Sequence, residues 1–75
     1  MDAQKTVDLK GLCCAQPIIQ LAKEMKTMRV GEVVLAYADK DSMRKDIPSF
    51  CKQTGHTLLS HEQDGDLLQF WIRKE

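Results

Sequence analysis

Residues Glu32 to Ala38 read Glu-Val-Val-Leu-Ala-Tyr-Ala, an almost unbroken apolar and β-prone run. A strand with no polar face to offer water belongs inside a sheet, with cover on at least one side. The flanking segments supply that cover. Upstream, Ile18, Leu21, Ala22 and Met25 recur at the i, i+3, i+4, i+7 spacing of one helix face, and Gly31 marks the exit from that helix. Downstream, Asp39-Lys40-Asp41-Ser42 offers turn and N-cap chemistry, and Met43, Ile47, Phe50 and Cys51 form a second helical stripe. Pro48 interrupts this stripe, so a kink or restart is expected before the helix ends near Gln53, with Gly55 as terminator.

The two ends of the chain complete the sheet. Lys5 to Leu9 alternates Val7 and Leu9 with polar neighbours, which predicts a short strand broken by Gly11. His56–Gln63 and Asp66–Arg73 flank Asp64-Gly65, a strong hairpin signal. A two-residue loop there pairs Gln63 with Asp66, Leu59 with Phe70 and Leu58 with Trp71. One hairpin face would carry Leu59, Leu68, Phe70 and Ile72, and the other Leu58, Leu67 and Trp71. The resulting order is β-α-β-α-β-β. Right-handed crossovers place both helices on one face of one sheet. The expected fold is therefore a two-layer α/β (α+β) sandwich with one bare sheet face, where Leu58, Leu67 and Trp71 form a candidate partner surface.

Seventy-five residues make a single domain spanning 1–75. A chain this short buries only about 60% of its unfolded surface, so it can hardly enclose a large substrate or a dinucleotide. Carriers, binding modules and subunits become the favoured classes, with a monomer as the default. Formal net charge is zero without blocks of like charge, so nothing points to direct nucleic-acid binding or an anionic membrane. No apolar run approaches the roughly 20 residues of a membrane span, and Met1 to Thr6 lacks the apolar stretch of a signal peptide. The expected location is cytoplasmic. Three cysteines, two of them adjacent, do not make the disulfide framework of a secreted mini-protein.

The chemistry concentrates in Gly11-Leu12-Cys13-Cys14-Ala15-Gln16-Pro17, between the first strand and the first helical run. With Cys14 as N-cap, Ala15 is the first helical residue and Pro17 the third. Proline is tolerated there because its missing N–H has no intrahelical partner. Cys13 then precedes the cap and packs on Ile18. Unpaired N–H groups and the positive end of the helix dipole favour an anion at this place. A thiol so placed loses its proton more readily, and the thiolate is the nucleophile.

This arrangement resembles the TusA/SirA-like sulfur carriers over nearly the whole chain. The family signature Gly-Leu-x-Cys-Pro-x-Pro matches Gly11-Leu12-Cys13-Cys14-Ala15-Gln16-Pro17, with Ala15 in place of the first proline. Gly31-Glu32, Ala38-Asp39, Asp46-Ile47-Pro48-Ser49-Phe50-Cys51 and the Ile72-Arg73-Lys74 ending match in register. The resemblance implies a fold like the C-terminal domain of translation initiation factor 3. Its four-stranded mixed sheet has the order 1-2-4-3, with the fourth strand antiparallel to the rest. It also implies a sulfur relay without a cofactor. Cys14 would accept sulfane sulfur from a cysteine desulfurase or rhodanese-type donor and pass it to an acceptor protein, for tRNA thiolation, sulfur metabolism or cofactor sulfuration. Alanine at position 15 keeps helix propensity and adds an N–H, but gives up the rigidity of proline.

Other residues have plainer readings. Cys13 is a packing residue first and an auxiliary thiol second. Cys51 lies on an apolar stripe and packs in the core. Lys10, Arg44 and Lys45 are solvated charges that could also steady an anionic sulfur or an acidic partner face. Asp39 stands at a strand end, where its simplest role is to cap the following turn. His56 and His61 fall near strand ends or on hairpin faces, where no special role is expected of either, and the cysteine and histidine spacings match no metal site. A second functional class stays open: a regulatory or protein-interaction module of the same fold without sulfur transfer. It would tolerate loss of Cys14 and be sensitive at Leu58, Leu67 or Trp71.

Overall fold

The computed structural model describes residues 3–12 and 16–75. Its elements are β1 (Lys5–Asp8), α1 (Gln16–Lys26), β2 (Val33–Ala38), α2 (Met43–Thr54), β3 (Thr57–Asp64) and β4 (Leu67–Arg73). The sheet order is β1-β2-β4-β3. β1 runs parallel to β2, and β4 lies antiparallel to both β2 and β3. Fold class, strand order and strand directions are those expected.

One cluster forms the core. Val7, Val34, Ala36, Ala38, Leu68, Phe70 and Ile72 from the sheet meet Leu21 and Met25 of α1 and Met43, Ile47, Phe50 and Cys51 of α2. The apolar stripes read from the helices are therefore the faces they bury. Pro17 joins the buried face of α1, whereas Ile18 and Ala22 flank it half-buried. Lys74 ties the layers together at one end: its Nζ donates to the Met25 carbonyl at 2.6 Å, close to the C-terminus of α1. Its main chain brackets Gly31 and Glu32 through bonds of 2.7 and 2.8 Å. A cation at a helix C-terminus also suits the dipole.

α2 departs from expectation twice. It runs from Met43 to Thr54 as one helix with Pro48 inside it. Proline removes a single bond, to the Arg44 carbonyl, and the buried Ile47, Phe50 and Cys51 on both sides of it outweigh that loss. Ser42 does not cap with its side chain, because its own backbone is already helical at φ −57°, ψ −25°. A capping hydroxyl needs an extended backbone to reach the first N–H groups. Main-chain carbonyls serve instead: Met43 N–H donates to Lys40 and Arg44 N–H to Asp41, each at 3.0 Å.

The hairpin also differs. Its loop is Gly65-Asp66, since Asp64 pairs with Leu67 and Gln63 with Leu68. Gly65 has φ +61°, the sign that the first residue of a tight hairpin loop requires, and glycine supplies it most cheaply. Moving the loop by one residue shifts each partner by two, which leaves the faces unchanged. A bulge at Leu59 changes them. His61 pairs with Phe70 and Ser60 with Trp71, but beyond the bulge Leu58 pairs with Ile72. Leu58 therefore packs on the core rather than beside Trp71. Leu59 loses its expected pairing with Phe70.

The helix-free face carries Leu67 and Trp71 of the residues expected there, together with Leu35 and Tyr37 of β2. Trp71 is only 9% exposed, and its Nε1 is enclosed without an acceptor among the described residues.

His56 follows α2 and lies against the Phe50 ring. Its Nδ1 accepts the Glu75 N–H at 3.2 Å, which requires that nitrogen unprotonated. Burial, and to a lesser degree Lys74, lowers its pKa below 6.5, against an opposing pull from Glu75. A folded-state pKa below the unfolded value gives stability that is present above about pH 6.5 and lost as pH falls through the folded value. Urea midpoints at pH 7.5 and 5.5 are expected to fall further for wild type than for His56→Asn. An equal fall would remove His56 from the acid response.

Candidate functional site

The parallel pairing of β1 with β2 brings the C-terminal ends of both strands to one edge of the sheet, with Asp8 opposite Tyr37. Past β1, Leu9 keeps the register by donating its N–H to the Tyr37 carbonyl at 2.7 Å, and its side chain is 1% exposed. The chain then turns. Asp8 Oδ1 accepts the Lys10 N–H at 2.9 Å, and Leu12 N–H reaches back to the Leu9 carbonyl at 3.4 Å. Gly11, at φ +80°, sits in the middle of this turn in a left-handed conformation. Leu12 leans on the core. On the far side, Gln16 opens α1 and Pro17 is buried in its first turn, where a missing N–H costs no helical bond. The connection is thus tethered at Leu9 and Leu12 before the cysteines and at Pro17 after them.

Cys13, Cys14 and Ala15 themselves lie outside the described residues. So do the expected N-cap role of Cys14 and the packing of Cys13 on Ile18. In the chain, Cys14 stands two residues before Gln16, where α1 begins.

Asp39 follows β2 and behaves differently from its expected role. Its carboxylate crosses to the other loop, and both oxygens accept the Gly11 N–H, at 3.3 Å from Oδ1 and 3.2 Å from Oδ2. The following turn is closed by main-chain carbonyls instead. No local signal in the sequence marks this cross-loop contact, because it forms only when β1 lies beside β2.

The basic candidates are dispersed. Lys10 Nζ stands 4.0 Å from Asp8 Oδ2. Arg44 Nε pairs with Asp41 Oδ1 at 3.0 Å, and Lys45 is exposed on the first turn of α2. Arg44 also borders a cavity of about 410 Å³ formed with Pro48, Leu58, His61 and Phe70. That cavity lies toward β3, at the sheet edge opposite β1. Among the described residues, the charged candidates that meet at the turn before the cysteines are Lys10 and Asp39.

Cys51 is 3% exposed in the core, and burial pushes its pKa up to about 11. It is a packing thiol, as its stripe position implied. Among the described residues no group of three or more His, Cys, Asp or Glu side chains could hold a metal ion. None of the described helices is long and apolar enough to cross a membrane.

Comparison with known proteins places this geometry in a family. The family model "Sulfurtransferase TusA" matches residues 5–74. YrkI of Bacillus subtilis, provisionally named a sulfur carrier protein, is 35% identical over 74 residues, covering 99% of both chains. The sulfur carrier protein TusA of Pseudomonas entomophila is 37% identical over 70 residues, covering 93% of this chain and 88% of that protein. The crystal structure of a SirA-like protein from Desulfitobacterium hafniense superposes with a TM-score of 0.80 at 24% identity, over 96% of this chain and all of that one. The structural match supports the fold, and the sequence matches extend almost from end to end: this chain belongs to the TusA family.

Proposed function

We propose that this protein is a sulfur carrier that holds sulfane sulfur as a persulfide on Cys14. The observation that carries this reading is the family match over residues 5–74, which includes the segment holding the cysteine pair. The signature register assigns the role to Cys14 rather than Cys13. The Cys14 thiolate attacks the outer sulfur of a donor persulfide, R–S–SH. A new Sγ–S bond forms, the donor S–S bond breaks, and the donor departs as a thiolate. The product is Cys14–S–SH. One sulfur moves with no net oxidation, under the rules of thiol–disulfide exchange. Transfer to an acceptor thiol is the same step with the roles reversed, and no cofactor enters.

The donor is a cysteine desulfurase or a rhodanese-type protein, and the acceptor is a second protein. Specificity comes from docking between proteins, as suits so small a domain in the cytoplasm. The alternative is a regulatory or protein-interaction module without sulfur transfer. The presence of Ala15 where the family signature has proline is the observation that speaks for it.

Intact mass after incubation with a cysteine desulfurase and cysteine tests the reading. Wild type and Cys13→Ser are both expected to gain one sulfur, roughly 32 Da, removable by a thiol reductant. No gain from a desulfurase, a rhodanese or inorganic polysulfide would overturn the carrier role in favour of the interaction module.

A further inference from the structure

The geometry points to Asp39 as the positioning residue of the cysteine connection, acting through Gly11. This inference rests on the carrier reading and deepens it. The Gly11 N–H is bonded to both oxygens of a carboxylate 28 residues away rather than to a main-chain carbonyl of its own turn. Asp39 follows Ala38, which closes β2 and is 1% exposed, so its backbone is anchored to the core. Gly11 lies three residues before Cys14. The contact therefore fastens the turn that precedes the cysteines to the rigid end of the neighbouring strand, on the cysteine side of Leu9.

A carboxylate cannot stabilise a thiolate or persulfide anion, since like charges disfavour ionisation. What Asp39 offers is geometry. At 3.2 and 3.3 Å the two contacts are long, yet an ionised acceptor strengthens them, and they hold one rotor of a turn whose glycine has unusual freedom. Transfer between two docked proteins needs the attacking sulfur in line with a donor S–S bond, and small misplacements slow such steps steeply. A freely diffusing reagent imposes no such requirement.

The test compares Asp39→Ala and Asp39→Asn, each in the Cys13→Ser background. Asparagine keeps one oxygen acceptor and alanine keeps none. Sulfur uptake from a cysteine desulfurase is expected to slow about tenfold or more in Asp39→Ala, and to stay within about threefold of the parent in Asp39→Asn. Alkylation of Cys14 by iodoacetamide is expected to stay within about threefold in both variants across pH 6 to 9. Exchange of the Gly11 amide, followed by NMR, is expected to accelerate in Asp39→Ala and much less in Asp39→Asn.

Equal loss in both variants would assign the effect to the charge and overturn the positioning role. Unchanged uptake in Asp39→Ala, or a parallel fall in alkylation, would also overturn it. If the parent takes up no sulfur from any donor, the carrier reading fails, and positioning for transfer fails with it. The Gly11 amide then reports separately whether the anchor exists.

Discussion

Cys14→Ser is expected to abolish sulfur uptake, whereas Cys51→Ala leaves its rate unchanged. A serine oxygen cannot form a persulfide, and its hydroxyl is scarcely ionised near neutral pH. Cys51 cannot substitute for the lost thiol. With its pKa pushed up to about 11 by burial, Cys51 stays almost wholly in the thiol form near neutral pH. It is also 3% exposed, inside the cluster that joins α2 to the sheet. Intact mass and peptide mapping of wild type, Cys14→Ser and Cys51→Ala check this directly. Retained loading in Cys14→Ser, or loss of loading in a folded Cys51→Ala, would move the reaction away from Cys14.

Leu21→Ala is expected to destabilise the domain by about 3 kcal/mol, within the range of about 2–5 kcal/mol for emptying a packed leucine site. Leu21 is 0% exposed at the centre of the α1 stripe, within the cluster shared with β1, β2 and α2. A domain of 75 residues has a total stability of roughly 4 to 11 kcal/mol, so this one change removes a large fraction of it. The midpoint of thermal unfolding should fall by about 12 °C or more. Ile19→Ala, two residues earlier at a position 53% exposed, should change stability by less than about 0.5 kcal/mol. Leu21→Met should cost less than about 1.5 kcal/mol because volume is conserved. Comparable losses at positions 19 and 21 would contradict the buried face assigned to α1.

Much of this molecule was legible before any coordinates. Met43, Ile47, Phe50 and Cys51 recur at helix spacing, and each is buried on α2. Val34, Ala36 and Ala38 alternate into the core from an apolar run that did read as an interior strand. The segment Gly11–Pro17 drew attention through residue types and spacing alone. Periodicity reports which face an element buries because that face is a property of the local chain.

The features that were not legible depend on contacts between segments. Asp-Gly marks a hairpin, but the register follows from how β4 locks onto β2, and that placed the loop at Gly65-Asp66. Nothing local announces the bulge at Leu59, which turns Leu58 inward and leaves Trp71 with β2 neighbours on the other face. Pro48 reads as a break until the core on both sides of it is counted. Asp39 reads as a cap for its own turn until β1 lies beside β2 and brings Gly11 within reach. Element type, order and buried face arise from short-range periodicity and backbone preference, which every stretch of chain carries with it. Register, bulge position and cross-loop bonds arise from competition among partners distant in sequence, and that competition is settled only when the strands pack.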